Sequence, residues 1–287
     1  MYVSQTPDPT GSYFAYIFTT QQFPDYPKYG VWPTDENGGQ GSYIVTTNEA
    51  SSGVYAMDRG AMLSGAAATF QRFTIPDLPG FPFNAVTPAD LDGPNPPPVG
   101  APAVIMRQRD SEPHGGPSAP DDVLEQWHFD VDWITTANTT LVQQPDIVVT
   151  EFDSALCGLS AFACFQQPGT STTLDPLREV IMNRLQYLNF NDYEALVGNF
   201  VTDVDGTDLG GLRWFELRRF GGEASPWTLH QEGTYSPDTD SRWMAASAMD
   251  QSGNIGIGYN VSSSATFPSL RYTGRQAGDA PGTMSQP

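Results

Sequence analysis

Short alternations of apolar and polar residues recur along the chain, separated by clusters of Gly, Pro, Asp, Asn and Ser. A period of two marks a half-buried strand, and the clusters between are turn chemistry. The pattern predicts strands at 12–20, 29–33, 42–49, 53–58, 68–75, 103–110, 127–133, 146–152, 184–190, 194–202, 210–218, 226–235, 242–250, 254–262 and 269–275. A helical turn is expected only at DRGAMLSG (58–65). The stretches 87–102 and 111–122 read as loops; the first is rich in proline, which lacks the N–H a central strand needs. Segment 177–188 fits a helix as well as a turn followed by a strand, and the strand is preferred because of a repeat.

FPDYPKYGVWP (23–33), FNDYEALVGNFVTD (190–203) and SRWMAASAMD (241–250) each pair a polar cluster with a strand, then a tight turn and a second strand. Repeated meanders must close on themselves or leave edges. The expectation is an all-β chain forming one β-propeller domain over 1–287, with about five four-stranded antiparallel blades; a jelly-roll sandwich is the alternative. In a propeller the repeated clusters converge at the channel mouth, bringing together Asp25 and Lys28, Asp192 and Glu194, and Arg242.

The stretches FPDYPKYGVWP, YAMDRGAMLSG, ADLDGPNPPPVGAP, FDVDW, FQQPGTSTTLDPL, RLQYLNFNDYEALV, LRWFEL, QEGTYSPD, RWMAASAMDQSGNIGIGY and SSSATFPSLRYTGR resemble an uncharacterised family of secreted bacterial β-propeller proteins. The resemblance runs from about residue 5 to the C-terminus. It implies a secreted propeller and no agreed activity. Family members look longer at both ends, so a fragment, or a variant with fewer blades, is expected.

Charge narrows the partners. Asp+Glu number 33 against 13 Lys+Arg, a net charge of −20. Such a field repels phosphate backbones and anionic lipid, and no apolar run approaches a membrane span. No nucleic acid, no membrane insertion and a monomer are expected. All but one of the basic residues are Arg; the only lysine is Lys28. Salt adaptation and a GC-rich genome explain that bias equally well. Cys157 and Cys164 match no zinc spacing and are expected to form a disulfide, which places the protein in an oxidising, extracellular compartment. MYVSQTPDPTG has neither the charged nor the apolar region of a signal peptide, so an export signal is expected upstream.

Paired carboxylates beside a cation are what glycoside cleavage needs. Asp25 and Glu194, with Asp192 beside them, are therefore the candidate catalytic residues, and turn capping is the competing account of DYPK and NDYE. Lys28, Arg242, Tyr26, Tyr193 and Trp243 are the candidate ligand-binding residues, with Trp32 and Trp214 as further aromatics for stacking on sugar rings. The expected ligand is an extracellular glycan or small molecule; a non-catalytic interaction or scaffold module is the alternative. No cofactor is expected. Calcium is the one metal entertained, at Asp203, Asp205 and Asp208 of DVDGTD, where a plain hairpin turn explains the same residues. A sialidase reading fails on its Asp-box: Asp250 to Gly253 reads as a hairpin turn. In WHFDVDW, Trp127, Phe129, Val131 and Trp133 share one face and His128, Asp130 and Asp132 the other. Lys28 is expected to point into the channel and touch a carboxylate.

Overall fold

The structure is a computed structural model that describes residues 1–80, 83, 85–114 and 121–285. Strand accounts for 45% of it and helix for 7%, so the chain is all-β. A ribbon of β1 (Tyr2–Ser4) and β2 (Tyr13–Ala15) leads into four antiparallel meanders. The first is β3 (Asp25–Trp32), β4 (Ser42–Asn48), β5 (Ser52–Asp58) and β6 (Phe70–Ile75), a sheet of its own. The second is β7 (Thr87–Leu91), β8 (Ala103–Arg109), β9 (Val123–Asp130) and β10 (Thr140–Gln143), with the short β11 (Ile147–Val148) also on β9. The third is β12 (Leu185–Asn189), β13 (Glu194–Asp203), β14 (Gly210–Arg219) and β15 (Thr228–Tyr235). The fourth has three strands: β16 (Ser241–Met249), β17 (Ile255–Ser262) and β18 (Ser269–Arg275).

Local chemistry explains the punctuation. Helix α1 (Arg59–Ser64) starts where the Asp58 carboxylate accepts from the Ala61 N–H and stops at Gly65, whose φ of 72° suits glycine. Pro27 is tolerated in β3 because the β3–β4 register slips between Asp25 and Lys28. Pro88 is tolerated in β7 because the ladder to β12 begins only at Ala89. Strand β13 is buried along all ten residues, and the largest apolar cluster gathers Trp32, Ile105, Phe129, Tyr187, Phe200 and Phe215 from the first three meanders.

The first strands of the four meanders lie side by side and run the same way. β7 and β12 pair in parallel, Ala89 opposite Leu185. β3 follows β7 closely: Lys28 Nζ donates to Thr87 Oγ1 at 2.9 Å and the Val31 N–H to Asp90 Oδ1 at 2.8 Å. A Cβ on Gly30 would stand 2.4 Å from the Ala89 carbonyl oxygen, so only glycine permits this approach. β16 meets β12 through Gln186, which accepts from the Met249 N–H at 2.6 Å and donates to its carbonyl at 3.2 Å.

Two expectations change. Because β7 and β12 are hydrogen-bonded, the second and third meanders merge into one curled nine-stranded sheet, and the described residues do not form separate closed blades. The repeat is also out of phase. Segments 23–33 and 241–250 supply the first strands β3 and β16, whereas 190–203 supplies β13, a second strand. The first strand of that meander is β12, inside the ambiguous 177–188 stretch and just after it. The loop expected at 87–102 contains β7, and residues 115–120 of the 111–122 loop lie outside the described residues. Cys157 and Cys164 are bridged, with Cα atoms 5.4 Å apart.

Candidate binding site at the entry end of the sheets

The shared direction of the first strands gives the molecule an entry end, where β3, β7, β12 and β16 begin, and an exit end, where they finish. Asp25, Tyr26, Lys28 and Arg242 stand at the entry end. Glu194 does not: it pairs with Asn189 at the exit end, and Asp192 lies in the turn just before it. Lys28 is level with Thr87 and, through the Ala89–Leu185 register, six residues short of Asn189; Asp25 is three further. At ~3.3 Å per residue the Asp25 and Glu194 carboxyls are more than ~20 Å apart. A glycosidase pair needs about 5–9.5 Å. The expected convergence of Asp25, Asp192, Glu194 and Arg242 is therefore not formed, because the meander carrying Glu194 is entered one strand earlier than the repeat suggested.

Glu194 is also fully engaged. Its two oxygens accept from Arg219 Nη2 and Nε at 2.6 and 2.7 Å, and Oε1 accepts from the Tyr187 hydroxyl at 2.5 Å. Burial, then the hydrogen bond to Glu194, raises the Tyr187 phenol far above its usual range. Arg242 is buried on the rings of Tyr235 and Tyr259 and held by Asp238 at 2.8 Å. Trp243, expected to be available to ligand, is buried edge-on against Phe165; Trp32 and Trp214 are buried as well. Tyr193 is half-buried at the exit end, stacked on Phe190 with the Arg218 guanidinium 4.4 Å from its ring. Asp203 accepts from the N–H groups of Asp205, Gly206 and Asp208, and Asp205 from Thr207, so the hairpin turn accounts for these two carboxylates, while Asp208 accepts from the Cys157 N–H at 2.6 Å.

Lys28 points inward as expected, but its contacts are neutral. Only 3% of the residue is exposed. Besides Thr87, its ammonium donates to the Ile181 carbonyl at 2.5 Å and sits 5.1 Å from the Tyr26 ring centre. Burial drives its pKa well below the usual lysine range. The carboxylate expected beside it is not among these partners.

What remains open at the entry end is a groove beside β3. Residues of β3 alternate in exposure, so Lys28 and Gly30 are buried while Asp25, Pro27 and Tyr29 are exposed. A cavity of about 200 Å³ lies there, lined by Phe18, Pro24, Pro27, Tyr29, Tyr55 and Met57 among others. Tyr29 is 50% exposed and Phe23, just before Pro24, 80%. At the polar edge, Glu49 accepts from Thr47 and Tyr55, both at 2.6 Å, and pairs with Arg72 at 2.7 Å. Burial pushes the Glu49 carboxyl up, but the hydrogen bonds from Thr47, Tyr55 and Arg72 outweigh it and hold it below its usual value. The groove thus offers an aromatic platform beside Thr47 and Tyr55, whose hydroxyls are fixed from behind by the buried Glu49 carboxylate. Sequence reasoning missed it because Phe18, Tyr29 and Tyr55 come from three separate predicted strands.

At the exit end, burial and then the positive charge of Arg219 lower the His128 pKa to about 4. A histidine depressed in the folded state from 6.5 contributes stability that is full above about pH 6.5 and lost as pH falls toward 4. Asp130 and Glu223 are both raised, chiefly by burial, and act in the opposite sense. The difference between wild type and His128→Leu isolates the histidine: urea unfolding is expected to show the wild type losing ground to the variant between pH 6.5 and 4. Parallel pH profiles would refute the assignment.

No protein-family model matches the chain, and neither a curated protein nor a solved structure matches it. Among the described residues no helix is long and apolar enough to cross a membrane.

Proposed function

We propose that the chain is a non-catalytic extracellular binding module of propeller-like construction that takes a glycan in the groove beside β3. The carrying observation is the groove itself: a half-exposed tyrosine, apolar walls and the Thr47 and Tyr55 side chains, both anchored on the buried Glu49 carboxylate, around one cavity of about 200 Å³. An aromatic face covers the apolar side of a sugar ring while polar groups fix its hydroxyls. Four meanders with co-directional first strands support a propeller-like plan, and the disulfide supports an oxidising compartment. Glycoside hydrolysis is the weaker reading, since Glu194 is held by Arg219 at the far end from Asp25.

Screening the protein on a glycan array and titrating the best hit by calorimetry tests this. Tyr29→Ala is expected to weaken binding at least about tenfold, equivalent to 1.4 kcal/mol, with the melting temperature unchanged because the ring is half in solvent. Hydrolysis of the hit is not expected, and Asp25→Asn and Glu194→Gln should not alter turnover at background level. An array without a specific hit, or a Tyr29→Ala variant that binds normally, refutes the proposal.

A further inference from the structure

A second feature of the entry end is independent of the groove. Where β8 gives way to the short helix α2 (Ser111–His114), the carboxylates of Asp110, Glu112 and Asp122 offer one oxygen each, all within 4.8 Å of one another. Oxygens bound to one calcium ion at 2.3–2.6 Å lie at most about 5 Å apart, so the three separations suit a shared ion. Each buried carboxylate keeps a free lone pair on its oxygens. Asp110 accepts from the N–H groups of Glu112 (3.0 Å) and Ser154 (2.7 Å), and Asp122 from those of Ser111 (2.9 Å) and Phe152 (2.6 Å).

Charge balance sets Asp110 and Asp122, with Asp35, Asp132 and Asp203, apart from the buried glutamates. The buried glutamates all face a cation or a histidine: Glu125 meets Arg107 and Arg109, Glu179 meets His114, Glu194 meets Arg219 and Glu216 meets Arg218. Among the described residues, none of Asp110, Glu112 and Asp122 takes part in an ion pair. His114 is already engaged by Glu179 at 3.0 Å and by the Pro79 carbonyl at 2.5 Å. A separate observation comes from Ser154, which is 1% exposed. Its N–H is anchored on Asp110, and its hydroxyl, turned toward the same carboxylate, makes no hydrogen bond of normal geometry. A buried hydroxyl turned toward Asp110 without a hydrogen bond of normal geometry is a fourth oxygen able to offer a lone pair.

We propose that Asp110, Glu112, Asp122 and Ser154 form a binding site for a hard divalent cation, calcium in kind. Carboxylate and hydroxyl oxygens without nitrogen or sulfur select such an ion over zinc or copper. The site would tie the end of β8 to the 151–154 segment that follows β11.

The test is calorimetric titration of the full chain with CaCl2 at pH 7.5, with thermal melts in parallel. One calcium per chain is expected, with a rise in melting temperature. Glu112 is exposed, so Glu112→Gln should leave the calcium-free melting temperature unchanged and weaken calcium binding at least about tenfold. Asp110→Asn should abolish binding; where it also impairs folding, Glu112→Gln alone decides. Asp205→Asn, in the DVDGTD turn, should bind calcium as the wild type does. The absence of saturable binding up to about 10 mM calcium, beyond the range of extracellular calcium modules, overturns the proposal. So does a Glu112→Gln variant that binds as tightly as the wild type, or loss of binding in Asp205→Asn.

Discussion

Replacing Arg219 with methionine is expected to destabilise the protein by about 3–5 kcal/mol at neutral pH, the usual consequence of stripping a buried ion pair of one partner. Arg219 and Glu194 are 2% and 3% exposed. The guanidinium makes two hydrogen bonds to the carboxylate and lies 4.8 Å from the Trp227 ring centre. Without it, Glu194 keeps only the Tyr187 hydroxyl and carries a buried charge with no counter-ion. The double variant Glu194→Leu with Arg219→Met should recover much of the loss, since a well-packed apolar pair often matches a buried ion pair. Denaturant unfolding of both singles and the double measures the coupling directly. If the double variant is as unstable as the two singles summed, the pair does not act as a unit and this account fails.

Lys28→Met is expected to have the opposite sign, stabilising the fold by about 1–3 kcal/mol. The ammonium is buried on neutral oxygens, and among the described residues none of its hydrogen-bond partners carries a charge to offset its desolvation. Its removal strands nothing, because the Thr87 hydroxyl donates to the Ile181 carbonyl on its own, at 2.5 Å. Methionine is near-isosteric with the lysine stem, whereas Lys28→Arg must place a larger, fixed-charge head in the same space and should destabilise. The depressed lysine pKa gives a pH signature. Folded lysine that prefers to be neutral contributes stability lost as pH falls through its folded pKa. The advantage of Lys28→Met should therefore be largest at neutral and acid pH and fade as pH approaches the ordinary lysine range. A Lys28→Met protein less stable than wild type by more than about 1 kcal/mol would mean that the ammonium is compensated by a partner not identified above. A gain in stability would mark Lys28 as a residue held at a cost to the fold, as groups at working sites often are.

Local chemistry made much of the fold legible. Strand positions followed from alternation, α1 from the Asp58 and Gly65 signals, and the bridge from cysteine arithmetic. Long-range chemistry did not show. Strand β7 is five residues containing Pro88 at the head of a proline-rich stretch, so its central place was hidden by a residue that usually forbids one. Strand β12 lies just beyond a segment where Leu177 and Glu179 adopt positive φ, a conformation that sequence periodicity does not anticipate. The strand predicted at 184–190 is β12, but starting the repeat at 190 instead took β13 for the first strand of its meander and sent Glu194 to the wrong end. The sequence pattern puts Asp110 at the end of the 103–110 strand and Glu112 and Asp122 in the loop after it, and their meeting depends on β8 and β9 being neighbours. Tyr29 was read as one strand residue among many, because its groove is closed by Phe18 of the N-terminal arm.

The parallel seam between β7 and β12 also bears on how the chain reaches this structure. Each antiparallel ladder within a meander joins strands adjacent in sequence, whereas the seam joins residues 89–91 to 185–187. Closing the intervening ~95 residues costs roughly 4 kcal/mol in chain entropy beyond a constant, by the logarithmic dependence on loop length. That cost falls as β8, β9 and β10 fold inside the loop and shorten its free span. Contact order therefore sets a sequence of events, with local meanders first and the seam after them. Until the seam closes, β7 and β12 each present an unpaired edge, the exposure that invites association between chains.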